Sequence, residues 1–294
     1  MGLFNSFKKN SLIKEANNLV KLGKYKEALK CYENILKIDP TDVISLCGKS
    51  IVLGELGKTQ EAFNAYDEAI KLDPNSFSPW IGKGAFLEKL GQYDEAINCY
   101  EKALEIEPQY VVTWNFKGTT LAHMGRFLEA VEAYEKALQI DPKFFDAWDN
   151  KGNALLKVGK IKEALEAYEN SLEIYPENFQ ALYNKGNTLF RLERYHEALD
   201  NYEKAIKIKP NYAGAWANKG SALLKLGKYD ESLEAYEKAL EIDKNDFEVW
   251  YNKGVALTNI NKNKEALKCF NRTLEIDPGY EEAKKAKKEI LENY

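Results

Sequence analysis

Residues 145–178 read FDAWDNKGNALLKVGKIKEALEAYENSLEIYPEN, and this 34-residue pattern returns along nearly the whole 294-residue chain. Prolines mark the period. Pro40, Pro74, Pro108, Pro142, Pro176, Pro210 and Pro278 fall on one 34-residue grid, with Lys244 at the one missing point and Pro79 off it. A fixed period of this size points to a chain that stacks one small unit on the next. Placing the grid proline at position 32 gives eight repeats: 9–42, 43–76, 77–110, 111–144, 145–178, 179–212, 213–246 and 247–280. Residues 1–8 form an N-terminal segment, and residues 281–294 remain for a C-terminal capping helix.

Each repeat predicts two helices. Position 4 is Trp80, Trp114, Trp148, Trp216 and Trp250 in five repeats and leucine in the others. Position 8 is Ala16, Ser50, then Gly84, Gly118, Gly152, Gly186, Gly220 and Gly254, and position 11 is always leucine. The spacing i, i+4, i+7 is one face of a helix, helix A. A Gly-Lys break at positions 15 and 16, as in Gly159-Lys160, precedes helix B. There position 20 is small (Ala28 to Ala266) and position 24 aromatic (Tyr32 to Phe270), again on one face. The proline stops helix B, because it cannot continue the hydrogen-bond ladder. A glycine inside helix A costs about 1 kcal/mol against alanine, so close helix approach is expected there. The reading is that the position-8 glycine faces the position-20 alanine of its own repeat, with the tryptophans and tyrosines filling the space around them.

These residues resemble the tetratricopeptide repeat: Trp at position 4, Gly at 8, small at 20, aromatic at 24, Ala at 27 and Pro at 32, over residues 9–280. Departures are the leucine at position 11, Glu193 in place of a turn glycine, and Asn259-Ile260-Asn261-Lys262-Asn263-Lys264, which lacks the turn glycine and the position-17 aromatic. The resemblance implies an all-α, right-handed α-α superhelical solenoid of helix-turn-helix repeats. It also implies a concave groove lined by helix A, the usual peptide site of the family.

Composition narrows the function. Charged residues make up 30% and the net charge is −4, which argues against a nucleic-acid partner. The four cysteines have no metal-type spacing; Cys31, Cys99 and Cys269 all occupy position 23, where other repeats have alanine, and read as core residues. No metal or cofactor site is expected. Gly57-Lys58-Thr59 lacks the upstream glycine and strand of a phosphate loop, and His123 and His196 form no catalytic constellation. The repeats use up the chain, so a non-enzyme is expected, and with neither signal peptide nor transmembrane run, a cytoplasmic one. Met1-Gly2-Leu3-Phe4-Asn5-Ser6 matches a myristoylation pattern, and Leu3, Phe4 and Phe7 suit a short membrane anchor. The alternative is a helix start packing on the first repeat. In the cap, Ala283, Ala286, Ile290, Leu291 and Tyr294 keep one apolar face, and lysine and glutamate the other.

Positions 2, 5, 6, 9, 12 and 13 lie opposite the buried arc of helix A and are the expected groove. Position 6 is Asn150, Asn184, Asn218 and Asn252, and position 9 adds Asn153 and Asn187. Position 13 is basic in Lys157, Arg191 and Lys225, with Lys89 and His123 before them. Tyr183, Phe190 and Tyr251 are the aromatic anchors. A ladder of amides, each both donor and acceptor, suits the backbone of an extended peptide, and adjacent cations favour acidic segments. The other reading is that these asparagines bond locally. In the N-terminal half Lys14, Gly48, Gly82 and Phe116 replace the ladder, and Cys47, Ile51, Ile81 and Val112 make it more apolar. The basic clamp that some family members use on chaperone tails is missing, since position 5 carries no lysine and Gly214 and Asn218 stand where it needs cations. Position 7 is lysine in Lys49, Lys83, Lys117, Lys151, Lys185, Lys219 and Lys253, at the edge of the buried arc. The expectation is a packed stem with the ammonium reaching an acid on a neighbouring helix. The function expected is a scaffold that binds protein segments. Its alternatives are a membrane-peripheral assembly factor and a regulatory subunit of an enzyme complex. Oligomeric state is open.

Overall fold

The computed structural model describes the backbone of residues 2–292 and the side chains of residues 8–292. The myristoylation pattern and the side chains of Leu3, Phe4, Phe7 and Tyr294 lie outside the described residues. All regular structure among the described residues is helical. The chain forms two compact units, Met1–Asn150 and Lys151–Tyr294. The first holds α1 (Gly2–Lys21), α2 (Tyr25–Ile38), α3 (Val43–Glu55), α4 (Thr59–Leu72), α5 (Phe77–Lys89), α6 (Tyr93–Ile106), α7 (Val111–His123), α8 (Phe127–Ile140) and the start of α9 (Phe145–Lys157). The second holds the rest of α9, then α10 (Ile161–Ile174), α11 (Phe179–Arg191), α12 (Tyr195–Ile208), α13 (Ala213–Lys225), α14 (Tyr229–Ile242), α15 (Phe247–Asn259), α16 (Asn263–Ile276) and α17 (Glu281–Glu292). No described helix is long and apolar enough to cross a membrane.

Local chemistry sets the helix ends. Asp42, Asn178 and Asp246 at position 34 cap helix A, each accepting from backbone N–H groups of its first turn. Between helices A and B the turn residue is left-handed, with φ from +70° to +78° at Gly23, Gly57, Gly91, Gly125, Gly159 and Gly227. Glu193 and Asn261 hold the same conformation at φ 59° and 58°, so these turns form without glycine. A left-handed non-glycine residue costs about 1–2 kcal/mol, and asparagine tolerates it better than glutamate. Glu193→Gly is therefore expected to raise unfolding free energy by about 0.5–1 kcal/mol and Asn261→Gly by less, read by urea denaturation. A drop in stability for Glu193→Gly would show that the turn is not strained.

The core adds detail to the sequence reading of the position-8 glycines. What occupies the space of a missing Cβ is the aromatic ring at position 24 of the same repeat, not the alanine at position 20. A Cβ would lie 2.7 Å from Tyr100 Cε1 at Gly84, 2.6 Å from Tyr202 Cε1 at Gly186 and 2.6 Å from Phe270 Cε1 at Gly254. These rings are almost fully buried, with Tyr202 1% and Tyr236 0% exposed. The position-20 residues are buried as well, and in the seventh repeat Ser232 Oγ donates to the Gly220 carbonyl at 2.8 Å, so position 20 does face the position-8 glycine there. In the first two repeats position 8 carries a Cβ (Ala16, Ser50), and the ring sits instead against position 6 of the next repeat. There Gly48 and Gly82 leave room: a Cβ would meet Tyr32 Cε1 at 2.5 Å and Tyr66 Cε1 at 2.7 Å. In the second and third repeats the ring of the preceding repeat fills the place that the asparagine ladder takes later in the chain.

Two contacts tie each repeat to the one before it. The indole Nε1 of Trp114, Trp148, Trp216 and Trp250 donates to the carbonyl oxygen at position 32 of the preceding repeat, at 2.8–3.0 Å. For Trp250 that carbonyl belongs to Lys244, so the contact needs the backbone and not the proline ring. Five of the position-7 lysines reach an acid as expected, while Lys49 has no carboxylate partner among the described residues. Lys83, Lys117, Lys185, Lys219 and Lys253 place Nζ 2.6–3.1 Å from Asp67, Glu101, Glu169, Glu203 and Glu237, each at position 25 of the preceding helix B. Lys117, Lys219 and Lys253 also lie 5.6–5.7 Å from the ring centre of their own repeat's tryptophan. The acids stay about half exposed, so each pair contributes about 1 kcal/mol or less.

Cys31, Cys99 and Cys269 are buried. Desolvation pushes the Cys269 thiol up to about 11, which keeps it protonated and unreactive. At the C-terminus Ala283 and Ile290 of α17 bury against Leu257, Cys269 and Phe270. Leu291, assigned to the same apolar face from the sequence, instead turns to solvent at 56% exposure.

Candidate functional site

The helix A faces of α11, α13 and α15 in the C-terminal unit enclose a groove of about 550 Å³. Its floor is apolar: Phe190, Leu224, Tyr251 and Val255. Asn187, Asn218, Ser221 and Asn252 line one side, and Arg191 and Lys225 the other. The helical period brings them together, because positions 6, 9 and 13 of successive repeats come into register when like helices lie side by side.

Seven of the twelve residues expected from the sequence line this groove: Asn187, Phe190, Arg191, Asn218, Lys225, Tyr251 and Asn252. Five do not. Asn150 belongs to the N-terminal unit, where its Nδ2 donates to Asn115 Oδ1 at 3.1 Å. Asn153 and Lys157 sit in the repeat before the groove, and Asn184, although on α11, is bonded to Asn153 and does not line it. Tyr183 is an aromatic core residue, with its ring 6.1 Å from Phe179 and 5.2 Å from Tyr212.

The amides are not a row of free groups. Asn184 Nδ2 donates to Asn153 Oδ1 at 2.9 Å, and Asn218 Nδ2 to Asn187 Oδ1 at 2.7 Å. Position 6 of one repeat thus bonds position 9 of the repeat before it. The same position-9 oxygen also accepts the phenol of position 24: Tyr168 OH to Asn153 Oδ1 at 2.7 Å and Tyr202 OH to Asn187 Oδ1 at 2.9 Å. Asn218 Nδ2 further donates to Tyr183 OH at 3.1 Å. These bonds brace the stack and fix the amide planes. The Asn187 amide also hydrogen-bonds the Tyr183 phenol, so Asn218 Oδ1 is the group these bonds leave as an acceptor. Asn252 differs: the matching oxygen is Ser221 Oγ, which takes Tyr236 OH at 3.2 Å and donates to Ala217 O at 3.0 Å. Asn252 therefore has no hydrogen-bond partner among the described residues.

Burial raises the phenols above their usual range, Tyr236 to about 12, so they stay neutral donors in this network at any physiological pH. The sequence reading assigned position 24 to the core and missed its hydroxyl. The signal was present. In repeats 4 to 8 position 9 is polar (Thr119, Asn153, Asn187, Ser221) where position 24 is tyrosine, and Val255 where it is Phe270, although Ile51 and Ala85 face tyrosines in repeats 2 and 3.

Family models described as tetratricopeptide repeats match residues 76–143, 133–166, 150–213, 201–234 and 247–280, and one described as a TPR repeat matches 220–260. A model of anaphase-promoting complex, cyclosome, subunit 3 matches residues 21–103. No curated protein matches the chain. Among solved structures, the chain is similar to YrrB, described as a TPR protein with an unusual peptide-binding site: 26% identity over 64% of this chain and 97% of YrrB, TM-score 0.60. It is similar to MamA at 25% identity over 57% of this chain and 92% of MamA, TM-score 0.54. The Cut9–Hcn1 hetero-tetramer of the APC/C shares the fold at 21% identity over 95% of this chain and 55% of that one, TM-score 0.61. With its helix pairs, its ring-over-glycine packing and these matches, the chain belongs to the tetratricopeptide repeat family.

Proposed function

We propose that this protein is a non-enzymatic scaffold that holds an extended segment of a partner protein in the groove between α11, α13 and α15. The observation that carries this reading is the groove's combination of an apolar floor with oriented, unsatisfied amide groups beside it. An extended peptide presents backbone N–H and C=O groups that need partners when desolvated. Asn218 Oδ1 and Asn252 offer them, while Phe190, Leu224 and Tyr251 take apolar side chains. The likeness to YrrB, whose description includes a peptide-binding site, supports the same reading.

Asn184 and Asn218 also brace the stack, so removing every ladder asparagine mixes stability with binding. Asn252 and Leu224 are better probes, since Asn252 makes no internal hydrogen bond and both lie half-buried on the groove. Affinity capture from native lysate, quantified by mass spectrometry, is expected to lose its specific partner about tenfold or more in Asn252→Ala/Leu224→Ala. Circular dichroism checks that the variant is folded. A partner recovered equally well by both proteins would overturn the groove assignment.

A further inference from the structure

Ion pairing varies along the position-13 column. In the third and fourth repeats the basic side chain meets an acid: Lys89 Nζ lies 2.7 Å from Glu55 Oε1, and the His123 imidazole Nδ1 lies 3.2 Å from Glu88 Oε1. In the C-terminal unit the same row is Lys157, Arg191 and Lys225, and none of the three has a carboxylate partner among the described residues. Several other cations of this unit do. Lys185, Lys219, Lys253, Arg194, Lys238 and Arg272 all have a carboxylate oxygen within 3.1 Å. No acidic side chain lines the groove that Arg191 and Lys225 border. Placed at the rim of a partly apolar groove, such cations attract carboxylates and repel basic segments.

Spacing adds a second constraint. Arg191 and Lys225 close the neighbouring helices α11 and α13 at the same register. Packed helices lie roughly 10 Å apart, and an extended chain rises about 3.3 Å per residue. We infer that the occupant is an acidic extended segment with two carboxylates two or three residues apart, one for Arg191 and one for Lys225. An apolar side chain between them rests on Phe190 and Leu224. This inference rests on the groove reading above and names the chemistry of its partner. Arg191 is suited to a bidentate carboxylate contact and Lys225 to a point-charge one.

The test is selection of a random dodecapeptide library displayed on phage against wild-type protein, the Arg191→Gln/Lys225→Gln double variant and the Asn252→Ala/Leu224→Ala control. Arg191 and Lys225 are exposed, so their replacement leaves the core intact. Wild type is expected to enrich peptides with paired Asp or Glu at the stated spacing. Synthetic versions of these should bind the charge variant about tenfold more weakly and wild type more weakly as salt rises. Enrichment of neutral or basic peptides that the groove control fails to bind would overturn the acidic assignment and leave the groove reading intact. Acidic peptides that bind the charge variant and the groove control as well as wild type would overturn both, as would a selection that enriches nothing.

Discussion

Gly220→Ala is expected to lower unfolding free energy by about 2 kcal/mol, although alanine is the better helix former by about 1 kcal/mol. The added Cβ would lie 2.6 Å from Tyr236 Cε1 and 2.7 Å from Cδ1. The ring has nowhere to go. Tyr236 is fully buried, its hydroxyl bonds Ser221 Oγ at 3.2 Å, and Ser232 Oγ donates to Gly220 O at 2.8 Å, holding helix A against helix B at that level. Overpacking of a closed core costs about 1–3 kcal/mol, which exceeds the gain in helix propensity. Urea denaturation followed by circular dichroism measures the change, with the slope examined because repeat stacks can lose cooperativity. In a Tyr236→Leu background the same substitution should become neutral or stabilising. An equal loss in both backgrounds would show that the ring is not what the glycine accommodates.

The second large effect concerns a pair of positions in different repeats. Gly82→Asn writes the ladder residue of the C-terminal repeats into the third repeat. It is expected to destabilise by about 2–3 kcal/mol, because its Cβ would meet Tyr66 Cε1 at 2.7 Å. Tyr66 leans there because Ser50 carries a Cβ where later repeats have glycine. Ser50→Gly opens the usual seat for the ring, so Ser50→Gly/Gly82→Asn should recover at least half of the loss. Additive single effects, within about 0.5 kcal/mol, would rule out the coupling. The same comparison separates family-wide packing from a local feature: Ala16 and Gly48 repeat the arrangement around Tyr32.

Much of the architecture was legible in the residues. The tryptophans, glycines, alanines and aromatics repeat at helical spacing. The turn glycines require left-handed backbone, and the observed helices follow that grid even where Glu193 and Asn261 replace glycine. The position-7 lysines were legible as amphipathic residues seeking an acid, and five of them reach one on the preceding repeat. The groove was legible in part: the columns were found, but not which rungs of each column remain open. Asn218 and Asn252 look alike in sequence, yet one is braced by Asn187 and Tyr183 and the other is not.

The division between what could be read from residue order and what required folded coordinates follows the range of the interaction. Helix period, caps and turns arise within about four residues, so hydrophobic spacing and glycine placement specify them. Side-chain contacts between helices, within and between repeats, join residues 12, 16 or 31 positions apart, as in Ser232 with Gly220, Lys253 with Glu237 and Asn218 with Asn187. Their partners depend on how far one helix pair is shifted and rotated against the next, which no single helical face encodes. That is why Tyr202 emerged as the support of Asn187 and not only a core ring. It is also why Lys89 is neutralised by Glu55 while Arg191 and Lys225, in the same column, stand without an acid.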